Sequence, residues 1–249
     1  MCVGPKFNPP HTPCMVRDRT QVLSFVETIQ QLMVRPNGRI SGILFLVASA
    51  QFILGLVVSE SLYPGYSVSD NYVSDLGIGP SSMIFNSSAF LLGTLILVGT
   101  YFLRHISKFK VVSNLLLFMA IGAMGIGIFT ENFRVAHGAA ALVAFIFSGL
   151  SAIASFRVLE KPLSLISVIL GVVSLGSLVL YLSGFITSGS LTSNEALDSN
   201  FFLGIGPGGM ERMIVYPALI WLILFSGNLI SLSNAYTKKE SEICILSQP

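Results

Sequence analysis

The chain has 249 residues, 53% of them hydrophobic and 10% charged, with a mean hydropathy of +0.78 and a formal net charge of +2. A soluble globular domain carries roughly 25% charged residues. This composition excludes a water-soluble globule and leaves an integral membrane protein with little soluble mass, and so small a net charge gives no basis for a nucleic-acid partner.

Residues 1–39 precede the first long apolar run. "MCVGPKFNPPHTPC" is rich in Pro and reads as an irregular tail, without the short apolar core and small-residue cleavage site of a secretory signal. In "TQVLSFVETIQQLMVR", Val22, Leu23, Phe25, Val26, Ile29, Leu32 and Met33 fall near helical spacing. That pattern fits an amphipathic helix lying on a membrane surface; an extension upstream of an initiator at Met15 or Met33 is the alternative.

Six apolar runs then reach the ~17–25 residues that cross a bilayer: Ile40–Ser59, Met83–Leu103, Val111–Phe129, Val135–Phe156, Leu163–Phe185 and Met213–Ser233. None alternates as a barrel strand would. The expected fold is all-α: a tail over 1–39, a six-helix membrane domain over 40–233 and a tail over 234–249. The third and fourth spans are separated by a very short turn and are expected to be antiparallel neighbours.

Basic residues orient the bundle. Six spans put both tails on one side, and that side collects 12 of the 14 Lys and Arg residues; the other holds Arg134 and Arg212 alone. Both tails are therefore expected to be cytoplasmic, in a plasma-membrane protein. Glu60, Asp70, Asp75, Glu131, Glu195, Asp198 and Glu211 then fall outside. Cys2, Cys14 and Cys244 fall in the cytoplasmic tails, where no structural disulfide is expected, and their spacing matches no zinc motif.

Two outer loops share a phrase. Leu76-Gly77-Ile78-Gly79-Pro80 in "DNYVSDLGIGPSS" returns as Leu203-Gly204-Ile205-Gly206-Pro207 in "DSNFFLGIGPGG". Each copy precedes a span that runs inward. Gly allows a tight turn and Pro suits a first helical turn, so one reading is a helix entry used twice. The other starts from direction: the second, fourth and sixth spans all begin at the outer face, with unpaired N–H groups and partial positive charge. If these starts converge, they form an outer mouth suited to an anion or a lipid headgroup, or an internal ion-pair network.

The residues available at that mouth are Asp70, Asn71, Asp75, Glu131, Arg134, His137, Glu211 and Arg212. Glu131, Arg134 and His137 lie three apart, and Glu131–Arg134 can pair on one helix face. Glu211 and Arg212 are adjacent, point about 100° apart and must each find another partner; Asp75 or Asp70 for Arg212, and Arg134 for Glu211, are the expected ones. Ionisable groups at membrane depth usually face partners or water. His137 is the only outer histidine, because His11 and His105 fall on the cytoplasmic side, so no metal site or cofactor is expected. No HExxH, nucleophile elbow or P-loop is present. Tyr72 and Tyr216 fit an interfacial belt, Trp221 reads as packing, and Ala120, Ala123 and Gly127 offer a close-packing face on the third span.

"DNYVSDLG", "GPSSMIFNSSAFLLG", "RVAHGAAA" and "GGMER" together resemble a prokaryotic six-span family known only as a domain of unknown function, over about Gly42 to Ser233. That resemblance implies topology and no activity. A more distant resemblance is to the eukaryotic Frag/DRAM/Sfk membrane proteins. It rests on Val73-Ser74-Asp75 with Gly77 and Pro80, and on His137-Gly138-Ala139, with Leu76 departing from a small polar residue. It implies lipid handling rather than catalysis. The function expected is binding of a lipid headgroup or small ligand in a polar outer pocket, with membrane lipids as partners. A membrane-embedded lipid hydrolase or transferase is the alternative, and a small transporter the third reading.

Overall fold

The computed structural model describes residues 19–187 and 199–246, with side chains described for 36–184, 186 and 201–235 among them. Expectations for residues 1–18, Glu195 and Asp198 lie outside the described residues. Six helices are long and apolar enough to cross a membrane. They are α1 (Arg19–Ser61), α2 (Ser82–Leu103), α3 (Lys110–Ile128), α4 (Arg134–Ala154), α5 (Leu163–Thr187) and α6 (Gly206–Leu246). Among the described residues there is no strand. Residues 19–35 are helical, and instead of forming a separate short helix they continue through Pro36 into the first span without an interruption.

Each helix packs against the next in sequence, and α1 closes the circle against α6. α4 also touches α6 across it. Half of the most apolar stretch of α6 is buried, against 28% of that of α5, so α6 is the most enclosed helix. Large apolar side chains such as Leu54, Met83, Val135, Val172 and Val179 point outward. In lipid this costs nothing, because tails are as apolar as leucine; the helices are instead held by close packing and interhelical hydrogen bonds. Ala120 and Ala123 are buried, as their small size led one to expect. A β-carbon on Gly122 would stand 2.5 Å from the Ala144 backbone nitrogen, so α3 and α4 approach as only glycine permits.

At the end of the bundle away from the helix starts of α2, α4 and α6, Phe225 stacks on Phe45 and Trp221 and meets Phe109 edge-on in a buried aromatic core. Pro217 lies inside α6. A proline there removes the donor for the Met213 carbonyl and loosens the preceding turn; in that turn Ser174 of α5 ties α5 to α6 by donating its hydroxyl to the Ile214 carbonyl at 2.9 Å.

The sixth helix departs from expectation in one respect. It starts at Gly206 rather than near Met213, so Glu211 and Arg212 sit within the helix and not in the loop before it. Gly-Pro-Gly-Gly ordinarily reads as a breaker. Here Pro207 occupies the first turn, where its missing donor is harmless. Gly208 lets the helix start press against the first loop: a β-carbon on it would lie 2.0 Å from the Asn71 carbonyl oxygen.

Candidate functional site

The two copies of the repeated phrase have different shapes. In the first, Ser74–Gly77 is a short 3-10 turn, and Gly79 leaves room for the Tyr63 ring. In the second, Leu203, Gly204 and Gly206 have φ of 50°, 76° and 75°. The second copy docks on the first loop, with Gly208 N–H donating to the Ser69 carbonyl at 3.0 Å. The shared phrase is thus no shared fold unit. Its outcome is that the loop between α1 and α2 lies against the start of α6.

That contact is clasped by Arg212, which is only 6% exposed. Its guanidinium donates to Glu60 Oε1 at 2.6 Å, to the Tyr66 hydroxyl at 2.8 Å, and to the Val68 and Gly208 carbonyls at 3.0 and 2.9 Å. The expected partners, Asp70 and Asp75, are not its partners. Glu60 ends the first span and already faces α6, whereas Asp70 is exposed and takes hydrogen bonds from Ser67 and Ser69. Asp75 instead closes its own loop, accepting from the Tyr72 N–H and from Asn71 Nδ2. Tyr66 donates to the Tyr72 carbonyl at 2.9 Å. Burial pushes the hydroxyls of Tyr66 and Tyr72 up to about 12; the Arg212 bond pulls Tyr66 the other way, and Glu211 adds to the rise at Tyr72.

Glu211 points from α6 into the bundle and is 7% exposed. Its partner is not Arg134 but the Val73 backbone N–H, which donates to Oε2 at 2.7 Å. Arg134 is exposed and interacts with Glu131. Glu131 and Asp75 lie near enough to Glu211 to interact with it electrostatically, and Glu131 borders Ser74 and Asp75. His137, 8% exposed, uses Nδ1 on the Phe129 carbonyl at 2.7 Å. A carbonyl only accepts, so Nδ1 carries the hydrogen, and in the neutral ring Nε2 keeps a lone pair.

Glu211 and His137 share a cavity of about 70 Å³ beneath this network. Its wall is drawn from α1, α2, α3, α4 and α6, with Phe52, Phe85, Met119, Ala144, Val215 and Leu219 among the apolar residues. Ser74, His137, Ser148 and Glu211 are its polar residues. The pocket is therefore mainly apolar with a polar rim, where the sequence suggested a polar mouth. Of the eight candidates, His137 and Glu211 line it, Asn71, Asp75, Glu131 and Arg212 form the network above it, and Asp70 and Arg134 face solvent. Glu60, Tyr66, Val73 and Phe129 were not foreseen as partners; only Glu60, an acid at a span end opposite an otherwise unmatched arginine, carried a signal. Among the described residues, no three His, Cys, Asp or Glu side chains are placed to hold a metal ion.

Residues 46–227 match one family model, described as a protein of unknown function (DUF998). No curated protein and no solved structure matches the chain.

Proposed function

The chain belongs to this family of unknown function, and we propose that it binds a small amphiphile in the cavity between its helices. In the orientation expected from the basic residues, the ligand enters from outside the cell. The observation that carries this reading is the cavity's construction: an apolar chamber within the bundle whose rim holds two nearly buried polar side chains, Glu211 and His137. Buried polar groups are ordinarily partnered, so acceptors turned to a cavity fit a ligand that completes them. A volume of about 70 Å³ holds roughly five to seven water-sized positions. That suits one short chain with its head, rather than a double-chained lipid.

The hydrolase reading draws on the fixed tautomer of His137, which presents Nε2 as a base. Nucleophilic catalysis also needs a hydroxyl within hydrogen-bond reach of that base. Among the described residues none bonds to Nε2, and Ser148 on the same wall donates to the Phe145 carbonyl at 2.8 Å. Binding is the better-supported reading.

The test is thermal unfolding of the purified protein in maltoside detergent with n-pentanol, compared with Ala218→Leu, which fills part of the cavity. The native protein is expected to gain stability with the alcohol and the filled variant to gain little. Equal shifts in both proteins, or none in the native one, would sink the proposal.

A further inference from the structure

The hydrogen bonds around the cavity rim are lopsided. The Nδ1–H of His137 is engaged by the Phe129 carbonyl, the Val73 N–H by Glu211, and the Ser148 hydroxyl by the Phe145 carbonyl. The Ser74 hydroxyl interacts with Glu131. The donor hydrogens of His137, Val73 and Ser148 thus each have an acceptor, and the Ser74 hydroxyl lies beside Glu131. What remains on the cavity wall is acceptors: among the described residues the bonds of Glu211 and His137 use Oε2 and Nδ1, leaving Oε1 and Nε2; behind the wall, Glu131 Oε2 and the donor Arg212 Nε are buried without a partner. A ligand that satisfies this rim must itself donate.

Charge narrows the class further. Four carboxyl groups, on Glu60, Asp75, Glu131 and Glu211, face two guanidinium groups, on Arg134 and Arg212. Arg212 is held by Glu60, and Arg134 sits at the exposed side by Glu131. Neither lines the cavity, so among the described residues no cation faces the nearly buried carboxyl of Glu211 from the ligand side. A buried charge is stabilised by an opposite charge with good geometry. An anion, which the helix starts alone favoured, would meet acceptors and carboxyl groups instead of donors.

We infer that the ligand carries a primary ammonium head, seated between Glu211 Oε1 and His137 Nε2, with a short apolar chain in the chamber below. This rests on the cavity-binding reading above. An ammonium offers three donors and a positive charge in a compact group, which a hydroxyl or a quaternary headgroup does not. The same head occurs on a free alkylamine, whose chain fits the chamber, and on an ethanolamine phospholipid, which would seat its headgroup alone and leave both chains in the bilayer.

The experiment compares n-pentylamine, n-pentanol and n-pentanoate on the native protein and on Glu211→Gln, by thermal unfolding in maltoside at neutral pH. Gln keeps the side-chain length and an oxygen for the Val73 N–H. The amine at ten times its Kd is expected to raise the midpoint by about 3–6 °C, more than the alcohol, with no rise from pentanoate. Glu211→Gln is expected to lose the amine's advantage and keep the alcohol's shift. A parallel arm compares the native protein in bilayers of ethanolamine and of choline phospholipid. Stabilisation by the free amine assigns the soluble source; stabilisation by the ethanolamine bilayer alone assigns the headgroup. If amine and alcohol shift the native protein equally and neither bilayer is preferred, the ammonium assignment falls while cavity binding stands. If no probe shifts it, both fall. If Glu211→Gln does not fold, the ranking of probes and bilayers on the native protein decides.

Discussion

Replacing Arg212 with Ala removes the clasp between α6 and the α1–α2 loop. Four hydrogen bonds disappear, to Glu60, Tyr66, Val68 and Gly208. Each bond to a charged donor is worth about 1.5–3 kcal/mol on its own, but four from one group are not additive. A tighter bound comes from the ion pair: removing one partner of a buried pair costs about 3–5 kcal/mol, largely from the charge left behind. The Glu60 side chain retains 22% exposure, so water partly compensates it, and the lower end, about 3 kcal/mol, applies. At about 2–4 °C per kcal/mol for a chain of this size, the unfolding midpoint should fall by about 6–12 °C. SDS titration in mixed micelles supplies the free energies for a cycle with Glu60→Gln, where coupling of about 1–2 kcal/mol is expected for touching residues. Arg212→Lys should recover less than half, because one ammonium cannot reach Glu60 and the two carbonyls as a planar fork does. A loss below about 1 kcal/mol for Arg212→Ala, the range of exposed pairs, together with additive double-mutant energies, would refute the clasp.

Gly208→Ala should cost about 3 kcal/mol or more by forcing backbone apart from the Asn71 carbonyl, whereas Gly204→Ala, strained at φ 76° but in open space, should cost about 1 kcal/mol; equal melting points for the two would contradict the docking of the loops. For Tyr66 and Tyr72, the raised folded value means the folded state holds its proton more tightly, so their stability is complete below pH 10 and lost as pH climbs toward about 12. Ultraviolet titration should show a tyrosinate fraction appearing late and together with unfolding, and titration of all seven tyrosines near pH 10 in the folded protein would contradict it. Orientation is checked by impermeant cysteine labelling of intact cells: a Cys at Ser190 should react and Cys244 should not, and the reverse would invert the bundle.

The all-helical, six-span architecture was legible residue by residue. Runs such as Leu163–Phe185 are long, apolar and nearly uncharged, and a bilayer admits only a helix from such a run. Trp221 as packing and Ala120 with Ala123 as a close face were legible for the same reason, since size and polarity alone assign them. The site was legible only as a set of residues gathered at one end of the bundle. Its pairings were not, because pairing depends on how far each helix extends and which face it turns. Gly206-Pro207 read as a helix entry, but where the helix would seat was not legible: Gly208 lies against Asn71, 137 positions earlier in the chain. That seating decides the directions of the adjacent Glu211 and Arg212, one inward to the cavity and the other onto Glu60. The apolar chamber has no sequence signal at all, since Val215, Leu219 and Phe85 look like any core residues. Five helices must stop short of one another for a void to exist, and only their tertiary packing decides that.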